Sequence, residues 1–573
     1  MKKLLTIMAL LCSTATLMAK PAKTVTLRFL ETSDVHGAFF PYNFTERKPM
    51  EGTMARVSSY VKEQREQYGK NVILLDNGDI LQGQPTSYYY NFVRTDQPNI
   101  AAQVINYLNY DAQTFGNHDV EPGHRVYDKW IKEVKCPMLG ANIIDLKSGK
   151  PYVEPYLLLE RDGVRIAVLG MLTPAIPSWL HPDVWSGMRF ENIIPCAKQW
   201  VKTLKEKEKA DVIVGLFHSG WDNGIVTDDY VEDVARQCAE QVPEFDVIFF
   251  GHDHTPRNTT VASGVLCLDP SCNAINVAQA TLTLQKEKGI WKVVKKEGEL
   301  VDITSKPIDE DYMAFFKTQY DDVRNFVDEQ IGTFETTIYS GDAFFGPSAF
   351  IDYIHLMQLE ETGADVSLTA PLTFNSVIKA GPVYMSDMFK LYRYENHIYL
   401  LRMKGREIRK HLEMSYDLWA NTMTSPDDHA LQLTDQTVND KQRMGFRNLS
   451  FNFDSAAGID YVVDVTKPDG QKVTILQFSD GRPFDENAWY KVAMSSYRGN
   501  GGGELLTRGA GIAAKDIESR ILWKSPRDQR HYLKEKIRRE GRVNALPLNN
   551  WRFVPEEWTR PALERDRQLL FGK

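Results

Sequence analysis

A chain of 573 residues, 43% apolar and 25% charged, has the composition of a globular protein. It is too long for one ordinary core, so two domains of roughly 250 residues each are expected. Its net charge of −8 offers no basic footprint for a duplex, which excludes long nucleic acid and leaves nucleotide-sized ligands.

Residues 1–19 read as an export signal: Lys2 and Lys3 precede an apolar run from Leu4 to about Leu17, followed by small residues near Ala19. The run is shorter than the ~20 residues that span a bilayer, so no transmembrane anchor is expected. The compartment implied is periplasmic or associated with the outer surface. Cys12 follows Leu11, where lipoprotein processing prefers a small residue, and lipidation is not expected. Five cysteines remain, Cys136, Cys196, Cys238, Cys267 and Cys272, an odd number that leaves at least one thiol unpaired within the chain. Cys267 and Cys272 flank a turn-like Leu268–Ser271 stretch that could close a local disulfide.

Residues 24–305 repeat one theme, a short apolar strand followed by a polar loop. Strands are expected at Val25–Leu30, Asn71–Leu75, Arg165–Leu169, Asp211–Phe217 and Asp246–Phe250, and helices at Asn99–Leu108 and Ala197–Lys209. This is the pattern of an α/β layered domain, whose ligand sites gather after the strands. Residues 306–331 carry Met313, Phe316, Tyr320, Val323 and Val327 at helical spacing and read as a connecting helix. Residues 332–550 read as an α+β second domain, with a helix near Ser348–Glu360 and strands at His397–Met403 and Gly458–Val465. Residues 551–573, with Trp551 and Trp558, read as a tail packed over a surface.

Five post-strand loops deliver metal-ligand residue types: Asp34-Val35-His36, Asp76-Asn77-Gly78-Asp79, Gly116-Asn117-His118-Asp119, His218, and Gly251-His252-Asp253-His254. One such loop means little, but five consecutive loaded strand ends are hard to explain by core packing. Carboxylate oxygen and neutral imidazole nitrogen suit divalent metals such as Zn, Mn, Fe or Co, and two metals ~3.5 to 4 Å apart need a shared anionic ligand. Asp79, on the shortest and most glycine-flanked turn, is the candidate bridge. A two-metal centre clamps a phosphoryl group and activates water for in-line attack on phosphorus. His118, next to Asn117, is placed to touch phosphate or leaving group, or else to be a further ligand.

In this order, D-x-H, G-D, G-N-H-[DE], a lone H and G-H-x-H resemble the calcineurin-like metallophosphoesterase superfamily. Phe29–Tyr42 and Asp76–Tyr90 resemble the two-domain 5′-nucleotidase and 2′,3′-cyclic phosphodiesterase family within it. The resemblance implies a four-layer αββα domain followed by an α+β nucleotide-binding domain. It also implies two divalent metal ions, one on Asp34, His36, Asp79 and His254 and a second on Asp79, Asn117, His218 and His252, with His118 catalytic. In 5′-nucleotidases an Asp after the G-N-H motif orients the histidine; here Glu121 stands at that place.

The second domain offers stacking partners for a base. Tyr497-Arg498 precede a Gly-rich turn, and Phe451-Asn452-Phe453-Asp454 is a second aromatic cluster, although Phe451 and Phe453 also fit alternate residues of a half-buried strand. These segments resemble the 2′,3′-cyclic-nucleotide 2′-phosphodiesterase/3′-nucleotidase branch, whose sandwiching aromatics would fall on Phe451 and Tyr497. The Leu372-Thr373-Phe374-Asn375-Ser376 stretch, where Asn375 is a candidate substrate contact, lacks the arginine typical of 5′-nucleotidases. The expected activity is therefore hydrolysis of cyclic and 3′-nucleotides. The alternatives are a 5′-nucleotidase or nucleotide-sugar diphosphatase, a sulfur-compound hydrolase, and an exported binding protein without catalysis.

Overall fold

The computed structural model describes residues 23–438 and 441–572. The expected export signal at residues 1–19 lies outside the described residues. Among these residues no helix is long and apolar enough to cross a membrane.

Two six-stranded sheets form the first half of the chain. One runs in the order Ile290–Asp302, Asn276–Glu287, Thr24–Thr32, Val72–Asp76, Ala112–Thr114, Met138–Leu139. The other runs Arg257–Thr260, Leu266–Asp269, Val247–Phe250, Val212–His218, Val164–Leu172, Tyr156–Arg161. Their inner faces share one apolar layer, in which Leu27, Phe29, Ile73 and Leu75 of the first meet Ile166, Val168, Val214 and Phe249 of the second. The outer faces bury further cores beneath helices, Met54–Tyr68 and Ile100–Leu108 on one side, Ile193–Glu206 and Ala235–Gln241 on the other. The result is four layers, αββα, as expected. The central strands are buried on both sides and read as continuous apolar runs such as Val72-Ile73-Leu74-Leu75.

Parallel pairing sets the site. Arg28–Thr32 aligns with Val72–Asp76, Leu75 and Asp76 with Ala112 and Gln113, and Val212–His218 with Ile166–Leu172 and, over part of its length, with Val247–Phe250. All five ligand-bearing loops therefore leave the same end of the two sheets.

The segment expected as one connecting helix is two helices, Glu310–Phe315 and Lys317–Val327, broken at Phe316. Tyr312, Phe316, Val323 and Val327 are fully buried in the core of the first unit. The second unit centres on a five-stranded sheet in the order Ser455–Ala457, Val366–Thr369, Trp489–Ser495, His397–Lys404, Ile521–Asp528. The tail expected to lie over a surface is instead built into the fold. Trp551–Val554 pairs in parallel with Ile459–Asp464, and Trp551 is buried and stacked on Tyr461 with ring planes 8° apart. An aromatic of that size is stabilising only inside the core, which is why the tail closes it.

The possible Cys267–Cys272 disulfide is not formed, and all five described cysteines are free. Cys267 lies on the strand Leu266–Asp269 with its side chain buried among Cys238, Val265 and Ile248, whereas Cys272 sits beyond the strand end. Strand geometry sends the two side chains to different places despite their short separation.

Candidate active site

Asp34, His36, Asp79, His252 and His254 all adopt left-handed backbone conformations, with φ of 51°, 48°, 55°, 80° and 55°. Such conformations are costly for residues other than glycine and concentrate where function over-determines the backbone. Here they turn each loop back over the strand end and aim its side chain inward. Two glycines make this possible. A Cβ on Gly116 would lie 2.0 Å from Asp79 Oδ1, and one on Gly78, itself at φ 85°, would lie 2.2 Å from Gly116 N.

Asp119 locks these loops together. Its buried carboxylate accepts the backbone N–H groups of Asp79, Ile80, Leu81 and Gly116 at 2.7, 2.9, 2.8 and 2.8 Å. The sequence singles out Asp119 only as part of a motif; its supporting role becomes visible once the two loops are adjacent.

The ligand-type side chains form two groups. Asp34, His36 and His254 offer atoms that all lie within 4.8 Å of one another, as do Asp79, His218 and His252. In the first group, His36 Nε2 and His254 Nε2 face each other at 3.1 Å, and Asp34 Oδ1 is 3.2 Å from His254 Nε2. Asp34 Oδ1 is buried and has no hydrogen-bond partner among the described residues. In the second group, His218 Nε2 is 3.3 Å from Asp79 Oδ2 and 3.2 Å from Asn117 Oδ1. Separations near 3 Å are those of donors about 2.0–2.2 Å from one shared ion. Burial disfavours the charged form of His218 and His254, yet Asp79 and Asp34 outweigh it and push them up to about 10 and about 11. Each group thus draws positive charge, and hard oxygen with imidazole nitrogen is the donor set a divalent cation fits. His36, driven by its burial, falls to about 4 and is held as the neutral imidazole a metal requires.

A third group, Glu232, Asp233 and His252, adjoins the second. Glu232 Oε1 accepts from His252 Nε2 at 2.7 Å, an outer contact of the kind that fixes a ligating imidazole. Glu232 lies in no motif, and sequence reasoning missed it.

His118 stands outside both groups. Its Nδ1 meets Glu121 Oε2 at 2.7 Å, and its backbone N–H donates to Asp79 Oδ1 at 2.8 Å. The longer carboxylate of Glu121 thus reaches the histidine. Burial works against the charge on His118, but Asp79 and Glu121 overcome it and move the imidazole up to about 9.

A cavity of about 350 Å³ lies between the two units, within the range of small-molecule sites. The first unit contributes Asn117, His118, Glu121, Trp179, His181 and His252, and the second Tyr394, Glu395, Asn396, Phe451, Tyr497 and Arg498. Phe451 and Tyr497 face the cavity, with ring centroids 6.1 Å apart and planes at 87°. A parallel sandwich of a base requires one ring to turn.

Three expected substrate contacts need correction. Phe453 is fully buried and stacked on Trp419 with planes 2° apart. The 3₁₀ turn Ser450–Asn452 sends Phe451 to the cavity and Phe453 into the core. Asn375 is exposed on a loop and does not line the cavity. Arg498 reaches the wall, but its donors serve Asp454 Oδ1 and Oδ2 at 3.0 and 2.8 Å, Phe451 O at 2.9 Å and Gly502 O, so it braces the aromatic segment. Phe453→Ala is accordingly expected to cost about 3–5 kcal/mol of stability, and Tyr497→Ala to raise KM about tenfold or more with little loss of stability. Denaturant unfolding and steady-state kinetics on both variants check this pair.

Residues 27–256 match the calcineurin-like phosphoesterase family and residues 330–508 the 5′-nucleotidase C-terminal domain. The chain is 26% identical to a 2′,3′-cyclic-nucleotide 2′-phosphodiesterase/3′-nucleotidase of Haemophilus influenzae, over 94% of this chain and 89% of that protein. It is 32% identical to a 5′-nucleotidase of Vibrio cholerae over 41% of each chain. Among solved structures, a putative 5′-nucleotidase from Staphylococcus aureus superposes with a TM-score of 0.75 at 20% identity, over 92% of this chain and all of that one.

Proposed function

Because the chain belongs to the calcineurin-like metallophosphoesterases that carry a 5′-nucleotidase C-terminal domain, and is a nucleotide-hydrolysing phosphoric ester hydrolase, we propose that it opens 2′,3′-cyclic nucleotides and then removes the 3′-phosphate. The observation that carries this reading is the cavity itself: the His118–Glu121 pair and metal-ligand residues form one wall, and Phe451 with Tyr497 the other. The near full-length likeness to a protein of that named activity supports it.

Asp34, His36, Asp79 and His254 would hold one divalent ion, and Asp79, Asn117, His218 and His252 a second, with Asp79 shared. When bound, such ions supply Lewis acidity at phosphoryl oxygens and a nucleophilic water. Glu232 occupies His252 Nε2, which leaves Nδ1 as the ring atom free to ligate. Glu121 holds His118 Nδ1 and leaves Nε2 to steady charge on the phosphoryl group or give a proton to the departing oxygen. Phe451 and Tyr497 would hold the base, and with it the phosphate's distance from His118. Lys2, Lys3 and the apolar run behind them support export and a periplasmic scavenging role.

Phosphate release from 3′-AMP and 5′-AMP, with Mn²⁺ or Zn²⁺ and with chelator, tests this. The expected result is chelator-sensitive turnover at least about tenfold faster, as kcat/KM, on 3′-AMP. Preference for 5′-AMP would overturn the substrate assignment while keeping the metal site.

A further inference from the structure

The two proposed metal sites differ in the charge of their own ligands. The first has Asp34 beside the shared Asp79, whereas the second has only its share of Asp79, completed by the neutral amide of Asn117 and the imidazoles of His218 and His252. A dication is held by negative charge as much as by geometry. On its direct ligands alone, the second site is the weaker.

A carboxylate one contact further out makes up the difference. Glu232 is buried on the second strand of a hairpin, Asn223–Val226 paired with Val231–Asp233, and its Oε1 accepts His252 Nε2–H at 2.7 Å. The hairpin is built around that carboxylate. Its Oε2 accepts the Ile225 N–H at 2.5 Å, and the Glu232 carbonyl accepts the hydroxyls of Thr173 and Ser219 at 3.0 and 2.8 Å. Gly224 bends over the carboxylate at φ 59°, where a Cβ would lie 2.6 Å from Oε2. On the His252 side, the Trp179 ring stands 5.6 Å from the imidazole.

Two other ligand imidazoles are held by neutral groups. His36 and His218 turn Nδ1 to the backbone carbonyls of Gln82 and Asn77 at 3.1 and 2.7 Å. A carbonyl fixes a ring as well as a carboxylate does, so orientation alone does not call for a carboxylate at His252. What the carboxylate adds is charge, which makes the opposite ring nitrogen a better donor to a metal.

We propose that Glu232, acting through His252, supplies the negative charge that the second site lacks and so governs whether that site retains its ion, an inference that rests on the two-metal reading above. Glu232 touches the ring and not the ion, and is a positioning residue.

The test reads metal instead of turnover. The full protein, stripped with chelator, is titrated with Mn²⁺ by calorimetry, and electron paramagnetic resonance separates a coupled ion pair from a single ion. The wild type is expected to bind two coupled ions. Glu232→Gln keeps the shape and one acceptor but loses the charge, and should weaken one ion about tenfold or more while leaving the other within about threefold. Glu232→Ala, which also frees the ring, should weaken the same ion by about a hundredfold. Paired variants identify that ion. In His254→Ala, which lacks a first-site ligand, adding Glu232→Gln should weaken the ion that remains; in His218→Ala, which lacks a second-site ligand, it should change nothing further. Two ions bound as tightly in Glu232→Gln as in the wild type would overturn the proposal. So would the reverse pattern in the paired variants, or an equal weakening of both ions, which would make the hairpin a prop for the whole centre. A wild type that binds a single ion fails the two-metal reading itself, a result seen before any variant is titrated.

Discussion

Asp79→Asn is expected to lower kcat/KM by about 10³-fold or more and to reduce bound metal below two ions per chain. The Asp79 carboxylate touches both the His118 loop and the second ligand group: Oδ1 accepts from His118 N–H at 2.8 Å, and Oδ2 is 3.3 Å from His218 Nε2. Burial alone would raise its pKa, but His218 and His118 hold it well below the ordinary carboxylate range, so it is an anion. Asparagine preserves shape and one acceptor while removing the charge that two cations would share. Metal analysis beside steady-state kinetics checks the result, and activity within tenfold of wild type with two ions retained would remove Asp79 from the bridging position.

His118→Ala is expected to lower kcat about 10²- to 10⁴-fold, with KM changed by less than about threefold and metal content intact. The imidazole touches neither ligand group through its Nδ1, which is taken by Glu121 at 2.7 Å. If Glu121 acts only through His118, Glu121→Gln should cost about tenfold or more in the wild-type background and nothing further in His118→Ala. Such non-additivity is the signature of residues acting as a unit. Additive losses would mean that Glu121 has a separate role.

Much of the candidate metal-ligand cluster was legible in the sequence because Asp34, Asp79, His218 and His252 follow strands marked by apolar residues, whereas Asn117 follows Ala112-Gln113-Thr114, which carries no such run. Parallel pairing then left only one end of the sheets where Asp34, Asp79, Asn117, His218 and His252 could meet. The substrate wall was less legible. Phe451 and Phe453 differ by two residues and have the same chemistry, yet a 3₁₀ turn puts one in the cavity and the other against Trp419. Asn375 sits in a segment that resembles a substrate loop but projects into solvent. Glu232 carries no motif, since its role arises from a side chain 20 residues away in the chain. Left-handed backbone at Asp34, His36, Asp79, His252 and His254 likewise has no signature beyond the neighbouring glycines.

The most direct test of the account is a chromatographic time course of 2′,3′-cAMP hydrolysis by the purified, metal-loaded protein. The expected result is that 3′-AMP accumulates first and is then converted to adenosine, with both steps abolished by chelator and slowed together in His118→Ala. Accumulation of 2′-AMP, or an intact cyclic substrate beside rapid hydrolysis of 5′-AMP, would contradict it.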